Sequence, residues 1–441
     1  MGANVLWFRR DLRLSDHPAL AAAASAGEVA PLFVIDPVLW SRSGPLRRAW
    51  LAANLRALME HLPVSVRVGD PVSVVAEFAR EVDASSVHVT TETTPYGRQR
   101  DLVGITLHET GSAYAVTPGR VKKADGSPYL VFTPWSRAWR AHSWPRPATY
   151  GHVSVSSARS DPQALAMLDA AIEASPIALP EPGEEAALKR WHQVLGGLER
   201  YGALRDRPDL DGTSQLSAYL KVGAIHPRTL LADLDLTLPG HQVFATELAW
   251  REFYADVLSR HPNSAWADLK PLPIEYDDDP AALALWQTGH TGFPIVDAGM
   301  RQMLATGWMH NRVRMIVASF LSKDLHIWWP AGARWFMEHL IDGDIASNSH
   351  GWQWVAGTGT DASPYFRIFN PTTQGLRFDP EGDYVRRWVP ELAHLPGKRA
   401  HEPWKQPDGY AHNYPEPMVD HDVERRESLR RYEAARSAQR E

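Results

Sequence analysis

No cysteine occurs among the 441 residues. This excludes disulfides, thiolate-held zinc, iron-sulfur clusters and a thiol nucleophile. There is no excess of positive charge either: the net charge is -6, so any nucleic-acid binding must use a local patch rather than a global field. No apolar run reaches the length of a membrane span. The amino terminus opens on Val5-Leu6-Trp7-Phe8 and then charges from Arg9 to Arg13, which is unlike a signal or transit peptide. A soluble cytoplasmic protein is expected. No G-x-G-x-x-G is present, so a dinucleotide in the usual Rossmann position is not indicated.

Tryptophan, by contrast, is abundant. Seven of the 18 lie between Trp286 and Trp354, interleaved with Asn311, Arg312, Arg314, Asp342, Asp344 and Asn348. Tryptophan is large, is rarely fully buried and carries a donor that needs a partner. Such a cluster is either a tryptophan-heavy helical core or a set of stacking surfaces and electron-rich rings beside a ligand.

Two kinds of periodicity divide the chain. From residue 4 to about 120, β-rich runs (Asn4 to Phe8, Val29 to Ile35, Val64 to Val68, Ser86 to Thr91, Ala113 to Val116) alternate with helical stretches. One helix opens at Ser15-Asp16-His17-Pro18 and another covers Pro45 to His61. This βαβ series predicts a doubly wound parallel sheet, with ligands beyond the carboxyl ends of its strands. Asp36 and the run Pro95 to Asp101 lie on that rim. Residues between Pro145 and Pro182 are rich in proline, serine and alanine and read as a linker. From Glu184 onward three-and-four spacing dominates, as in Gln242 to Leu258, Val296 to Met303 and Asn311 to Leu321. The expected architecture is α/β plus all-α: a Rossmann-like domain over 1–130, a linker over 131–185 and a helical domain over 186–441. The charged tail from Val423 reads as a solvated helix.

Several constellations could carry chemistry. Gly212-Thr213-Ser214-Gln215-Leu216-Ser217 sets hydroxyls and backbone amides at a helix start, which suits a phosphate, although an ordinary capped helix explains it as well. Glu247, Trp250, Arg251 and Tyr254 share one helix face, fit either for a flat heteroaromatic with polar edges or for a buried salt-bridged stripe. Asn311 and Met315 stand one turn apart, with Arg312 directed elsewhere, towards phosphates or an acid. Asp342-Gly343-Asp344 and Asn348 place acceptors and an amide in a glycine-bearing turn, with Arg314 a natural partner for Asp342. Metal ligation by the two aspartates has little support, because no His or Glu stands at ligand spacing.

Trp308 to Met315, Asp342 to Trp354, and Asp361 to Pro371 together resemble the photolyase/cryptochrome family, specifically its class I cyclobutane pyrimidine dimer photolyases. Trp7 to Arg13 resembles the family's opening. The resemblance covers most of the chain and is weakest in the linker. It implies FAD in the helical domain, with Tyr201 and Thr213, Ser214, Gln215, Leu216 and Ser217 on the ribose and phosphate side. Arg251, Arg314, Asp342, Gly343 and Asp344 would surround the isoalloxazine, and Asn348 would face its central-ring nitrogen. Gln215 stands where the family often has Arg, which puts one phosphate ion pair in doubt. The implied partner is UV-damaged DNA, bound by a monomer, and the implied reaction is light-driven, redox-neutral splitting of the dimer. No general acid or base is needed for it. Trp250 and Trp354 would wall the flipped lesion, Glu247 and Asn311 would contact base edges, Met315 would fill the floor, and Arg312 and Gln374 would lie near phosphates. Photolyases for the (6-4) photoproduct carry histidines at the positions of Asn311 and Met315.

The family reduces its flavin through three aromatic residues. Trp352 and Trp329 match the first two, and the third falls on Tyr276 where tryptophan is usual, which implies slower photoreduction; Trp286 or Trp328 offer other exits. For the antenna, Pro95-Tyr96-Gly97-Arg98-Gln99-Arg100-Asp101 resembles relatives that bind 8-hydroxy-5-deazaflavin, with Asp36, Arg48, Arg98, Arg100 and Asp101 as contacts. Folate-binding relatives, which hold methenyltetrahydrofolate, have an Asn-Glu pair at Tyr96-Gly97, and an empty pocket is the remaining case. A cryptochrome-like blue-light photoreceptor is the alternative reading, and a plain electron-transfer flavoprotein a third.

Overall fold

The computed structural model describes residues 2–101, 106–156, 158–361 and 367–439; Ala362 to Phe366 of the Asp361 to Pro371 motif lie outside them. The chain divides into two compact units. The first comprises 1–199, 214–262 and 341–346, and the second 200–213, 263–340 and 347–441. The boundaries expected from composition are continuous in sequence, whereas these units are interleaved.

In the first unit five parallel strands form one sheet in the order β3-β2-β1-β4-β5: β1 Asn4–Phe8, β2 Val29–Ile35, β3 Ser65–Val68, β4 Ser86–Thr91 and β5 Leu107–Ser112. Every residue of β1 and β2 is buried, as befits central strands covered on both faces. Val5, Trp7, Leu32, Val34, Val75, Phe78 and Val89 form the core of one face. The helix Pro18–Ala26 opens where the motif predicts, with His17 Nδ1 accepting from the Leu20 amide at 3.1 Å and proline at the first turn.

Two expectations need correction. The fifth strand is Leu107–Ser112, not Ala113 to Val116. The amides of Ala115 and Val116 donate instead to the Glu252 carboxylate, at 2.5 and 3.1 Å, so they are lost to any ladder. The expected linker also contains the helix Pro162–Glu173, which buries Ala164 and Leu168 and packs on the helix Pro45–Met59. Arg56 clamps it by reaching both oxygens of Asp169, at 2.6 and 2.7 Å.

The second unit is helical in its described residues. Its core gathers Trp286, Phe320, Trp329, Phe336, Trp352 and Tyr384, so much of the tryptophan cluster is indeed core. Two of its indole N–H groups are satisfied internally. Trp286 Nε1 donates to the Val317 carbonyl at 3.0 Å, and Trp329 Nε1 to Asp268 Oδ1 at 2.7 Å. The helix beginning at Asn311 ends at Ser319 and continues as a π turn, Phe320–Asp324. The charged tail is the helix His421–Ala438. No helix among the described residues is long and apolar enough to cross a membrane.

Candidate functional site

In the first unit Asp344, one of the expected flavin-side residues, sits in a buried charge cluster. Asp344 Oδ1 accepts from the Ala346 amide at 3.1 Å, capping the helix Ile345–Ala356. Its Oδ2 lies 3.4 Å from Arg10 and 3.6 Å from Lys221. Arg10 also binds Glu92 at 2.8 Å. Burial alone would lower the Arg10 guanidinium, but Glu92, Tyr114 and Asp344 together hold it above its ordinary value. Burial would likewise raise Glu92, yet the charges of Arg10 and Arg9 and two backbone amides pull it down to about 2. Lys221 goes the other way: burial drives it down to about 8, against the attraction of Asp344. Gly223 permits this arrangement. It has φ +73, and a Cβ there would lie 2.1 Å from the Arg10 carbonyl oxygen.

Arg251 donates to the carbonyls of Ala113 and Leu220, at 3.0 and 3.3 Å, and its guanidinium lies 4.5 Å from the Tyr114 ring centre. It is therefore fixed by the chain itself. Trp250 and the half-buried Glu247 sit on the same helix, Pro239–Arg260. One face of Trp250 is covered by Phe132, with ring centres 3.5 Å apart and planes at 7°, and Tyr254 lies 5.5 Å away, so at most one face is left to a ligand. In the turn before the helix Ser217–Val222, Ser214 lends its carbonyl to Arg190 at 2.9 Å and its hydroxyl to the Leu216 amide at 3.4 Å. Gln215, with φ +54, is the left-handed residue there, not the glycine. Asp342 and Gly343 are buried in the same unit.

Some of the antenna candidates are paired, Asp36 with Tyr96 and Arg100 with Asp101. Asp36 caps the helix Pro37–Ser41 through the Val38 amide at 2.9 Å and accepts the Tyr96 hydroxyl at 2.6 Å. Burial and that carboxylate push Tyr96 up to about 12. Arg100 and Asp101 pair at 2.8 Å, Asp101 also meets Arg9, and both guanidinia lie over Trp7 at 4.7 and 5.0 Å. Arg98 is placed apart from this group, donating to the Ser259 carbonyl at 2.8 Å, and Arg48 is half-buried on Pro45–Met59.

In the second unit, Asn348 and Trp352 stand one helical turn apart on Ile345–Ala356 and share a face. Asn348 Nδ2 donates to the Ala333 carbonyl at 2.9 Å, which leaves Oδ1 as the amide's acceptor. Trp352 is 3% exposed, and its Nε1 finds no partner among the described residues. It packs edge-on against Trp286 and Phe336, with centres at 6.0 and 5.0 Å. This face thus holds an amide acceptor and a buried indole donor with no partner among the described residues, as Trp135, Trp335 and Trp388 also have, and a ligand on it can meet both. Tyr201 opens the short helix Tyr201–Leu204, and Thr213 ends the same segment of this unit. Gly212 is required beside it, because a Cβ would stand 2.7 Å from Leu204 Cβ.

Among the lesion-side residues of this unit, Asn311 is exposed at the first turn of Asn311–Ser319, while Met315 and Trp354 pack at the edge of the core. Arg312 has found its acid: Nη2 lies 3.0 Å from Asp206, and its guanidinium sits 4.4 Å above Phe378. Arg314 Nε donates to the Met309 carbonyl at 2.8 Å. Gln374 is half-buried on Pro371–Phe378. Tyr276 touches Trp328, with centres 6.5 Å apart. Arg10, Glu92, Lys221, Tyr114, Phe132 and Asp268 were missed from sequence. Only Arg10 carried a signal, through its place in the opening motif.

Each unit by itself carries groups that suit a flavin nucleotide: hydroxyls, amides and buried carboxylates in the first, an amide acceptor and an indole N–H in the second. Comparison with known proteins agrees. Residues 244–434 match the model of the FAD binding domain of DNA photolyase, and residues 4–151 match that of DNA photolyase. The chain is 40% identical to the deoxyribodipyrimidine photo-lyases of Salmonella typhimurium and Escherichia coli, covering 99% of each chain in both cases. It is 40% identical to that of Streptomyces griseus over 95% of this chain and 97% of the other. Among solved structures, a class III photolyase from Agrobacterium tumefaciens superposes with a TM-score of 0.87 at 34% identity, covering 99% of this chain and 98% of the other. A Synechocystis cryptochrome gives 0.84 at 26%, covering 97% and 98%. By family models and full-length relatives alike, this chain belongs to the DNA photolyase family and carries its FAD-binding domain.

Proposed function

We propose that the protein repairs cyclobutane pyrimidine dimers in DNA, using light and reduced FAD. The observation that carries this reading is the shared face of Asn348 and Trp352, an amide acceptor one turn from an unmet indole donor. Bound and reduced, FAD supplies the photoexcited electron that splits the dimer and receives it back.

The chain's own residues bind, orient and exclude water. Thr213, Ser214, Gln215, Leu216 and Ser217, with Tyr201, hold the ribose and phosphates. Arg251, Arg314, Asp342, Gly343 and Asp344 surround the ring system, and Asn348 offers its oxygen to a ring N–H, favouring the reduced form. Flipping the lesion costs a few kcal/mol, less for an already damaged pair. Stacking offsets this at roughly 1–3 kcal/mol per base. Trp354 and the face of Trp250 away from Phe132 supply it, Glu247 and Asn311 address base edges, and Met315 fills the floor. Gln374 lies near the backbone, and Arg312 joins it only by sharing its charge with Asp206.

For the antenna we propose 8-hydroxy-5-deazaflavin, on Asp36, Arg48, Arg100 and Asp101, with Arg98 joining them only by leaving the Ser259 carbonyl. Packing speaks against the folate pattern. A Cβ at Gly97 would stand 1.9 Å from Glu92 Cγ, and Glu92 is held by Arg10, so a glutamate at 97 does not fit. The archaeal photolyase from Sulfolobus tokodaii is described with two FAD molecules, implying a novel light-harvesting cofactor, so extraction of the chromophore must distinguish a second flavin as well. The protein is proposed to act as a cytoplasmic monomer without an obligate partner protein.

Binding in the dark tests the lesion pocket. Oligonucleotides carrying one thymine cyclobutane dimer, one (6-4) photoproduct or no lesion are titrated against wild type and Trp354→Ala. Preference for the cyclobutane dimer, lost in the variant, is expected; equal binding of all three would remove the repair reading and favour the photoreceptor.

A further inference from the structure

We propose that the surface end of the electron relay in this chain is Trp328, not Tyr276. The inference rests on the flavin-loaded reading above. Trp329 is fully buried and bonded to Asp268. Its chain neighbour Trp328, which precedes the helix Trp329–His339, has its ring centre 6.4 Å away and is 39% exposed. Tyr276 also touches Trp328, with ring centres 6.5 Å apart. The ring contacts therefore run Trp329, Trp328, Tyr276, with Trp328 already at solvent.

Chemistry separates the two candidates. A phenol that loses an electron becomes a strong acid, so its oxidation is fast only if an acceptor takes the proton. Among the described residues no group accepts the O–H of the half-buried Tyr276, which leaves only water, a weak base, to take its proton. Burial and the negative charge of Asp268 both raise the pKa of Tyr276, so the phenolate route is closed too. An indole can give up an electron first and its N–H proton later. Solvation favours the resulting cation where water reaches it, which is at Trp328 and not at the buried Trp329.

The relay balances as follows. Trp352 gives one electron to the photoexcited flavin, Trp329 refills Trp352, and Trp328 refills Trp329. Trp328 is left as the radical cation and sheds its N–H proton to water. A solution thiol then returns one hydrogen atom to the neutral Trp328 radical and becomes a thiyl radical. Tyr276 serves as packing against one side of the Trp328 ring.

The test is flash photolysis of the FAD-loaded protein, with the radical identified by transient absorption and by electron paramagnetic resonance on protein grown with ring-deuterated tyrosine or tryptophan. A tryptophanyl radical quenched by water-soluble thiol is expected in wild type. Trp328→Phe should slow thiol-driven photoreduction by about tenfold, whereas Tyr276→Phe leaves the tryptophanyl signal in place. A tyrosyl radical in wild type, or unchanged kinetics in Trp328→Phe, would overturn the proposal. The isotope experiment needs no variant, so poor folding of Trp328→Phe does not blunt it. Flavin content and repair by chemically reduced wild type are measured alongside; loss of either counts against the function, not the relay.

Discussion

Gly332→Ala couples packing to electron transfer. Gly332 lies in the helix Trp329–His339, and a Cβ there would stand 2.2 Å from Cη2 and 2.8 Å from Cζ2 of Trp352, and 2.6 Å from Cδ2 of Leu321. Ordinary contact begins at 3.4 Å, so the indole or the helix must move by roughly an ångström. Both neighbours are buried. Alanine gains about 1 kcal/mol of helix propensity over glycine, whereas overpacking a tight core costs about 1–3 kcal/mol. A net loss of about 1–2 kcal/mol is expected, which for a unit of this size lowers the melting temperature by roughly 2–8 °C. The same shift displaces the first ring of the relay. Thermal melting of the FAD-loaded protein and the initial rate of thiol-driven photoreduction are measured together, and both should fall. An unchanged melting temperature with an unchanged rate would refute the seating of Trp352 against this glycine.

Burial pushes the Glu252 carboxyl up to about 7 from 4.5, although two backbone amides and the Trp139 indole N–H pull the other way. A carboxyl raised on folding stabilises fully below its unfolded pKa and loses that contribution as pH rises through its folded value. Wild type should therefore lose about 3 kcal/mol between pH 4.5 and 7 from this group. The cost of Glu252→Gln, read from urea unfolding at each pH, should shrink by that amount over the same window; a cost that grows with pH would contradict it. Gly97→Glu should lower the melting temperature without recruiting a folate, checked by thermal melting and chromophore extraction. Asp268→Asn removes the anion beside Trp329, a charge-assisted bond worth roughly 1.5–3 kcal/mol, and should slow photoreduction in transient absorption; an unchanged rate would detach Asp268 from the relay.

The central strands were legible because β1 and β2 are apolar throughout, and helix starts were legible where a cap and a proline coincide, as at His17-Pro18. The edge strand was not. Leu107–Ser112 reads LHETGS, half exposed and without alternation, while the more apolar Ala113 to Val116 looks like a strand but gives its amides to Glu252, more than 130 residues away. The helix Pro162–Glu173 was hidden by its small apolar face of Ala164 and Leu168. In the site, Asn348 and Trp352 were legible through the resemblance to the family, while their shared helix face came from the structure. The cluster of Arg10, Glu92, Lys221 and Asp344 could not, because its members lie in four distant segments and only the fold brings them together. Phe132 covering Trp250 belongs to the same class.

The most direct test of the account uses an oligonucleotide with one thymine cyclobutane dimer and chemically reduced, FAD-loaded protein, exposed to blue light beside a dark control. Restoration of both thymines in light alone is the predicted result. No repair from protein that demonstrably holds reduced FAD would contradict it.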